Sequence, residues 1–266
     1  MRFSILALFI FLLSLSCEEA LEFNPLDPEN NPDYIPPETT ITSGPSEGAV
    51  LDTSSAVFTW EGNDHLVIDY SYKYDSNDWS EWADVTLVTL NYLDEGAHSF
   101  SVKGRYSETI EDETPASISF SVDAVQGSGL RIYPLLTEVT TGATFTVSLY
   151  AEEVSALTYG EVQISYNSSY ASFVSVESSG LLTGNTEDVI FISEHTNGGS
   201  EGQIDLTFAL TGEESLEGTG ALCIFTFTAS SPGTFPLSIS TASVFRDKDN
   251  NNIPINDISN GLVVVE

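Results

Sequence analysis

The sequence predicts an all-β protein built of two β-sandwich domains, and three observations carry that prediction. Phe (15) and Tyr (11) are abundant while Met occurs once and Lys and Arg total seven, a composition suited to pleated, half-buried surfaces. Apolar residues recur at every second position over short runs. Ile68, Tyr70, Tyr72 and Tyr74, separated by Asp69, Ser71 and Lys73, show the period of a strand with one buried face. Clusters of Gly, Asn, Asp and Ser punctuate these runs at roughly 8–12-residue intervals, as in sandwiches. Hydrophobic residues make up 41 % of the chain and charged residues 18 %, too apolar for a disordered acidic chain.

Residues 1–16 read as an export signal. Arg2 supplies a positive start and Phe3 to Leu15 an apolar run interrupted only by Ser4 and Ser14, short of the roughly 18–20 residues a membrane-spanning helix needs. Cys17 directly follows Leu13-Ser14-Leu15-Ser16, and this segment resembles the lipobox of bacterial lipoproteins. The resemblance implies cleavage before Cys17, acylation of Cys17, and an exported protein anchored to the outer membrane or cell surface without spanning it. Ser14 departs from the family pattern, which places Leu there. A secreted protein cut nearby, with Cys17 incidental, is the plainer alternative. If Cys17 carries lipid, Cys223 has no disulfide partner. On a strand Cys223 shares a face with Phe225 and Phe227 and has no cation nearby in sequence, which predicts a buried, unreactive thiol.

Residues 17–38 carry Pro25, Pro28, Pro32, Pro36 and Pro37 among Asn, Asp and Glu. Such spacing excludes helix and ladder alike and predicts an extended, acidic tether.

Residues 39–124 form the first module. Ala56 to Trp60 is a strand, Ile68 to Tyr74 the next, Asp75 to Asp78 a turn, Val85 to Leu90 a strand, and Asp94-Glu95-Gly96 a turn. His98 to Gly104 and Ser117 to Val122 follow as strands. The Trp60 strand, the Trp79-Ser80-Glu81-Trp82 step and the hairpin from Leu93 to Val102 are similar to immunoglobulin-like and fibronectin-III-like modules of bacterial surface proteins. That resemblance implies a spacer or scaffold. Trp79 and Trp82, read as strand residues three apart, point to opposite faces. An exposed Trp there is a candidate platform for a sugar ring, against the plainer reading of Trp60, Tyr70, Tyr72 and Tyr74 as core.

Residues 125–266 form the second module, with strands read at 130–135, 144–150, 160–166, 173–176, 190–193, 203–210, 220–229, 233–239, 243–247 and 261–265. Three segments carry a resemblance to cohesin modules: Thr141 to Val147, Gly160 to Phe173, and Gly218 to Ala229 followed by Gly233. Asn167 and Ser168 replace the family's Asp-Pro, Ala171 its Leu and Ala143 its Asp. The resemblance implies a jelly-roll-type sandwich that binds a dockerin-bearing protein. Kinship with carbohydrate-binding sandwiches adds polysaccharide as a second partner class and polysaccharide catabolism as a setting. No ligand-binding residues are assigned from it.

Chemistry is sparse. A net charge of −33 repels phosphate backbones and excludes sequence-independent nucleic-acid binding. Asp247, Asp249 and Asn251 stand at positions one, three and five of a calcium-type loop. Asn252 and Ile258 then occupy the places of the loop's Gly and Glu, so a hairpin turn explains the same residues without metal. Glu152-Glu153, Glu187-Asp188 and Glu213-Glu214 are adjacent pairs that a strand would point to opposite sides, unlike the facing carboxylates of a glycosidase. His195, in Glu194-His195-Thr196-Asn197-Gly198-Gly199, reads as a solvated loop residue. The sequence therefore predicts no catalytic residues, no metal and no cofactor: a non-catalytic surface lipoprotein that works by binding. The alternative is an envelope or adhesin stalk with no specific ligand.

Overall fold

The computed structural model describes residues 33–63, 66–184 and 189–266. The signal segment, Cys17, most of the tether, His65 and the pair Glu187 and Asp188 lie outside the described residues. Two sets of β-sheets, each around its own hydrophobic core, make an all-β fold of stacked sheets.

The first set contains β1 (Thr39–Ser43), β2 (Ala49–Leu51), β3 (Ser55–Gly62), β4 (Asp69–Tyr74), β5 (Leu87–Asn91), β6 (Gly96–Ser107), β7 (Ile110–Glu111) and β8 (Ala116–Val122). The sheets are ordered β1-β3-β5 and β2-β8-β6-β4, with β7 on β6. Alternation sends Phe58 and Trp60 of β3 inward to meet Phe100 and Val102 of β6 and Phe120 of β8. Phe58 stacks on Phe100 at 3.9 Å between centroids, and Tyr70 meets Trp60 edge-on at 6.2 Å. Such pairs add about 0.5–1.5 kcal/mol beyond their buried area.

Ile68 departs from expectation. The strand β4 starts only at Asp69, and Ile68 before it is 51 % exposed while Val67 packs against the core. Residues 34–38 lie against this module rather than clear of it. The Ile35 carbonyl accepts from Tyr106 Oη at 3.1 Å, and the Pro36 carbonyl accepts from Asn63 Nδ2 at 2.9 Å.

The second set contains β9 (Gly129–Tyr133), β10 (Leu136–Val139), β11 (Thr144–Leu157), β12 (Tyr159–Asn167), β13 (Ala171–Ser178), a one-turn helix α1 (Gly180–Thr183), β14 (Val189–Gly198) and β15 (Glu201–Leu210). It continues with β16 (Leu216–Ala229), β17 (Gly233–Ile239), β18 (Val244–Arg246), β19 (Asn252–Ile253), β20 (Asp257–Ser259) and β21 (Gly261–Val265). One sheet runs β10-β21-β17-β12-β15-β14, with β18 also on β12; the other runs β13-β16-β11-β9-β20.

Inward residues of β11 and β16 (Val147, Leu149, Phe225, Phe227) meet those of β12, β15 and β17 (Ile164, Tyr166, Ile204, Phe208, Phe235), all buried. Gly233, the first residue of β17, has φ +154°. A Cβ there would come within 2.3 Å of the Tyr170 ring, so backbone and packing both demand glycine.

Candidate functional site

Strand period decides which side chains of the second sandwich face outward. On β12 these are Glu161, Gln163 and Ser165; on β15, Gln203, Asp205 and Thr207; on β14, Ile190, Ile192 and Glu194. Register brings Gln163 opposite Asp205, Glu194 opposite Asp205, and Ile192 opposite Thr207. The Asp205 carboxylate accepts from Gln163 Nε2 at 2.9 Å and from Gln203 Nε2 at 2.7 Å, which fixes a polar strip across the middle of the sheet. Beside it, on the outermost strand of that sheet, Ile190 and Ile192 are 49 % and 53 % exposed. Two solvated isoleucines flanked by immobilised polar groups have the anatomy of a small protein-binding surface, with an apolar patch and a polar rim.

His195 is not in a loop. It lies within β14, paired with Ile204, and its Nε2 is 2.9 Å from Tyr166 Oη while its ring lies 4.7 Å from that of Phe173. The run Glu194 to Gly198 looks like a loop in sequence because it is polar throughout; its ladder is supplied by β15.

The tryptophans do not form a free platform. Trp60 is buried in the core at 2 % exposure. Residues 79–82 are not a strand but a segment folded over β4, where Ser80 Oγ accepts from the Tyr72 backbone N–H at 3.1 Å and the Ser80 carbonyl accepts from Ser71 Oγ at 2.7 Å. Both rings therefore lie on one side. Lys73 and Lys103 each place Nζ 5.1 Å from the Trp79 centroid, Lys103 is also 5.1 Å from Trp82, and the Arg105 guanidinium is 4.5 Å from Trp82. Glu111 at 2.6 Å pairs Lys103, and Asp69 at 2.7 Å pairs Arg105. These indole faces are engaged by cations of the protein itself, so a stacked sugar would have to displace them.

Around Asp247 the loop turns inward on its own carboxylate. Oδ1 accepts the backbone N–H groups of Asp249 (2.9 Å) and Asn251 (2.8 Å), and Oδ2 accepts Asn251 Nδ2 at 2.9 Å. The Asn251 donors hold the Asp247 carboxyl below the usual carboxylate range. This is the geometry of an Asx turn joining β18 to β19, and no metal-holding cluster of three His, Cys, Asp or Glu exists among the described residues.

Of the carboxylate pairs, Glu152 is buried against Arg131, while Glu153 is exposed at a bulge of β11 where its φ is +44°. Glu213 and Glu214 are both exposed in the loop before β16.

Cys223 is fully buried between Leu149 and Phe225, and burial pushes its thiol far above the ordinary range. With Cys17 replaced by Ser, the folded chain is expected to resist alkylation at pH 8 and to react stoichiometrically once unfolded. Labelling of the native protein at the rate of a free thiol would contradict this burial.

No protein-family model matches the chain, and no curated protein does. Among solved structures the chain is similar to a non-cellulosomal cohesin from the hyperthermophilic archaeon Archaeoglobus fulgidus, at 16 % identity and a TM-score of 0.43 over 53 % of this chain and 91 % of that one. It is similar to a structure of the Coh-OlpC-Doc435 type I cohesin–dockerin complex from Clostridium thermocellum at 18 % identity and TM-score 0.43, over 52 % of this chain and 94 % of that one. It is also similar to CaCohA2 from Clostridium acetobutylicum at 22 % identity and TM-score 0.41, over 53 % and 93 %. In each case about half of this chain matches nearly the whole of the solved one.

Proposed function

We propose that this protein is a lipid-anchored bacterial surface protein whose second sandwich binds a dockerin-bearing protein through the outer face of β12, β15 and β14. The observation that carries the reading is the exposed pair Ile190 and Ile192 beside the Gln163–Asp205–Gln203 strip. The resemblance of Thr141 to Val147, Gly160 to Phe173 and Gly218 to Gly233 to cohesin segments supplies the partner class. The engaged indole faces of Trp79 and Trp82 favour a protein partner over a polysaccharide. On this reading the first sandwich, similar to immunoglobulin-like modules, acts as the spacer that carries the binding face outward from an anchor at Cys17.

The test is a pull-down with the immobilised mature chain, offered the source organism's secreted proteins and insoluble polysaccharides, with and without a calcium chelator. Capture of a protein with paired calcium-loop repeats is expected, lost on chelation. Ile190→Asp with Ile192→Asp should weaken it by about 2 kcal/mol or more, roughly thirtyfold, as for hot-spot residues. Retention on polysaccharide alone, or capture indifferent to the double substitution, would overturn the reading; no capture at all would favour the stalk.

A further inference from the structure

The turn Asp94-Glu95-Gly96, between β5 and β6, bonds to both the connector and the second sandwich. Asp94 Oδ1 accepts the backbone N–H of Leu135 in the second sandwich at 2.8 Å. The Glu95 carboxylate accepts those of Ala124 and Val125 in the connector, each at 2.9 Å. Leu93, Val125 and Leu135 are each 3 % exposed. The turn thus grips the connector and the start of the next sandwich together.

Behind the turn sits His98, its side chain 8 % exposed. Nε2 lies 2.7 Å from the Asp94 carbonyl oxygen and Nδ1 lies 2.8 Å from Asp75 Oδ2, whose other oxygen accepts the Ser99 N–H at 2.9 Å. A carbonyl and a carboxylate are both acceptors, so only an imidazole protonated on both nitrogens donates to both. A singly protonated ring must face one of them lone pair to lone pair. The groups around this ring are Asp75 from the turn after β4, Asp94 from its own turn, and the Phe120 ring of β8 at 5.6 Å. Tyr74, Tyr92 and, from β10, Glu138 line the same cleft of about 340 Å³, and Arg131 of β9 acts on Asp94 through space.

We propose that His98 is a proton-operated latch on the junction: doubly protonated, it fixes the Asp94 turn and with it the angle between the two sandwiches, and loss of one proton releases that turn. Opposing influences act on the neighbouring Asp94. Burial raises its carboxyl above the ordinary range, opposed by the Leu135 N–H and by Arg131. A group raised in the folded state contributes stability that is present at low pH and lost as pH rises through its folded value. Burial of Asp94 therefore favours the folded chain at low pH, while the Leu135 N–H that it accepts and the nearby His98 favour its ionised form.

Amide exchange of the full chain, corrected for the intrinsic pH dependence, tests this at the Leu135, Ala124 and Val125 N–H groups, with Ile164 in β12 as reference. Protection of Leu135 should fall at least tenfold between pH 5.5 and 8.5 while Ile164 holds. His98→Gln should abolish that pH dependence. In Asp75→Asn the side-chain amide can donate to a neutral ring, so the clamp should stay protected at both pH values. Unchanged protection of Leu135 in the unsubstituted chain, or the same pH dependence in both variants, would overturn the latch.

Discussion

Replacing Phe227 by Ala is expected to destabilise the second sandwich by about 3–5 kcal/mol, the range for deleting a buried aromatic ring, and to leave the first sandwich unmoved. Phe227 is fully buried on β16 and pairs across the sheet with Phe145 of β11 and Phe173 of β13. Its ring centroid is 5.5 Å from that of Phe145, 5.8 Å from Phe173 and 5.1 Å from Tyr166, which reaches it from the opposite sheet. One side chain therefore ties three strands of one sheet to the other. The cavity it would leave is walled by rings anchored on different strands, so collapse is limited and the cost should lie toward the upper end of the range.

The molecule supplies separate reporters for the measurement. Trp60, Trp79 and Trp82, the chain's three tryptophans, all lie in the first sandwich, whereas Cys223 lies in the second. In urea, Trp fluorescence should give the same midpoint with and without the substitution, while exposure of Cys223 to a thiol reagent shifts to lower denaturant. A shift under about 1 kcal/mol would mean that the ring cluster is not the core's anchor. A matching shift in fluorescence would mean that the two sandwiches unfold as one unit.

Much of this fold is written in the sequence because its central strands are buried on one face only. Val162, Ile164 and Tyr166 alternate with Glu161, Gln163 and Ser165, and the structure keeps that division. What alternation does not write is the edges. The strands β1, β2, β7, β10, β19 and β20 have five residues or fewer and lie at sheet borders or beside bulges, where the partner strand rather than the hydrophobic pattern decides pairing. The same reason hid the second half of β14 and turned His195 into a loop residue. Trp79 and Trp82 misled in the other direction: a strand's period was applied to a segment that is irregular because Ser80 bonds to β4.

The outward face of β12 was legible as a set of polar residues. That Gln163 meets Asp205 depends on a register linking residues 42 apart in the chain, which composition and spacing do not encode. The Asp94 turn was visible as a turn and nothing more, since its acceptors serve backbone groups 29 to 41 residues away.

Glu152→Ala is expected to cost the second sandwich about 3–5 kcal/mol, the penalty for leaving a buried charge without its counter-ion. Arg131 on β9 and Glu152 on β11 are paired with side chains 7 % and 8 % exposed. The guanidinium lies 4.2 Å from the Tyr150 ring and 5.4 Å from that of Tyr133, Thr219 Oγ1 donates to the second Glu152 oxygen at 2.8 Å, and Arg131 Nη1 has no hydrogen-bond partner among the described residues. Without Glu152 the guanidinium keeps the aromatic contacts, which are worth about 0.5–2 kcal/mol and do not replace a carboxylate. Urea unfolding followed at Cys223 should show the loss at low and high salt alike, because a pair this deep is poorly screened. A cost below about 1 kcal/mol would mean that water already reaches the guanidinium.

The paired substitution Arg131→Met with Glu152→Leu separates stability from specificity. Two apolar side chains in place of two desolvated charges are often neutral or better, so most of the stability should return. The register between β9 and β11, in which Arg131 opposes Tyr150 and Gly129 opposes Glu152, would then rest on packing alone. β9 is short and nearly all buried, so a slip by one residue would turn Leu130 and Ile132 away from the core. If the double variant regains stability but loses amide protection along β9, the ion pair's contribution is to the choice of register rather than to the depth of the fold.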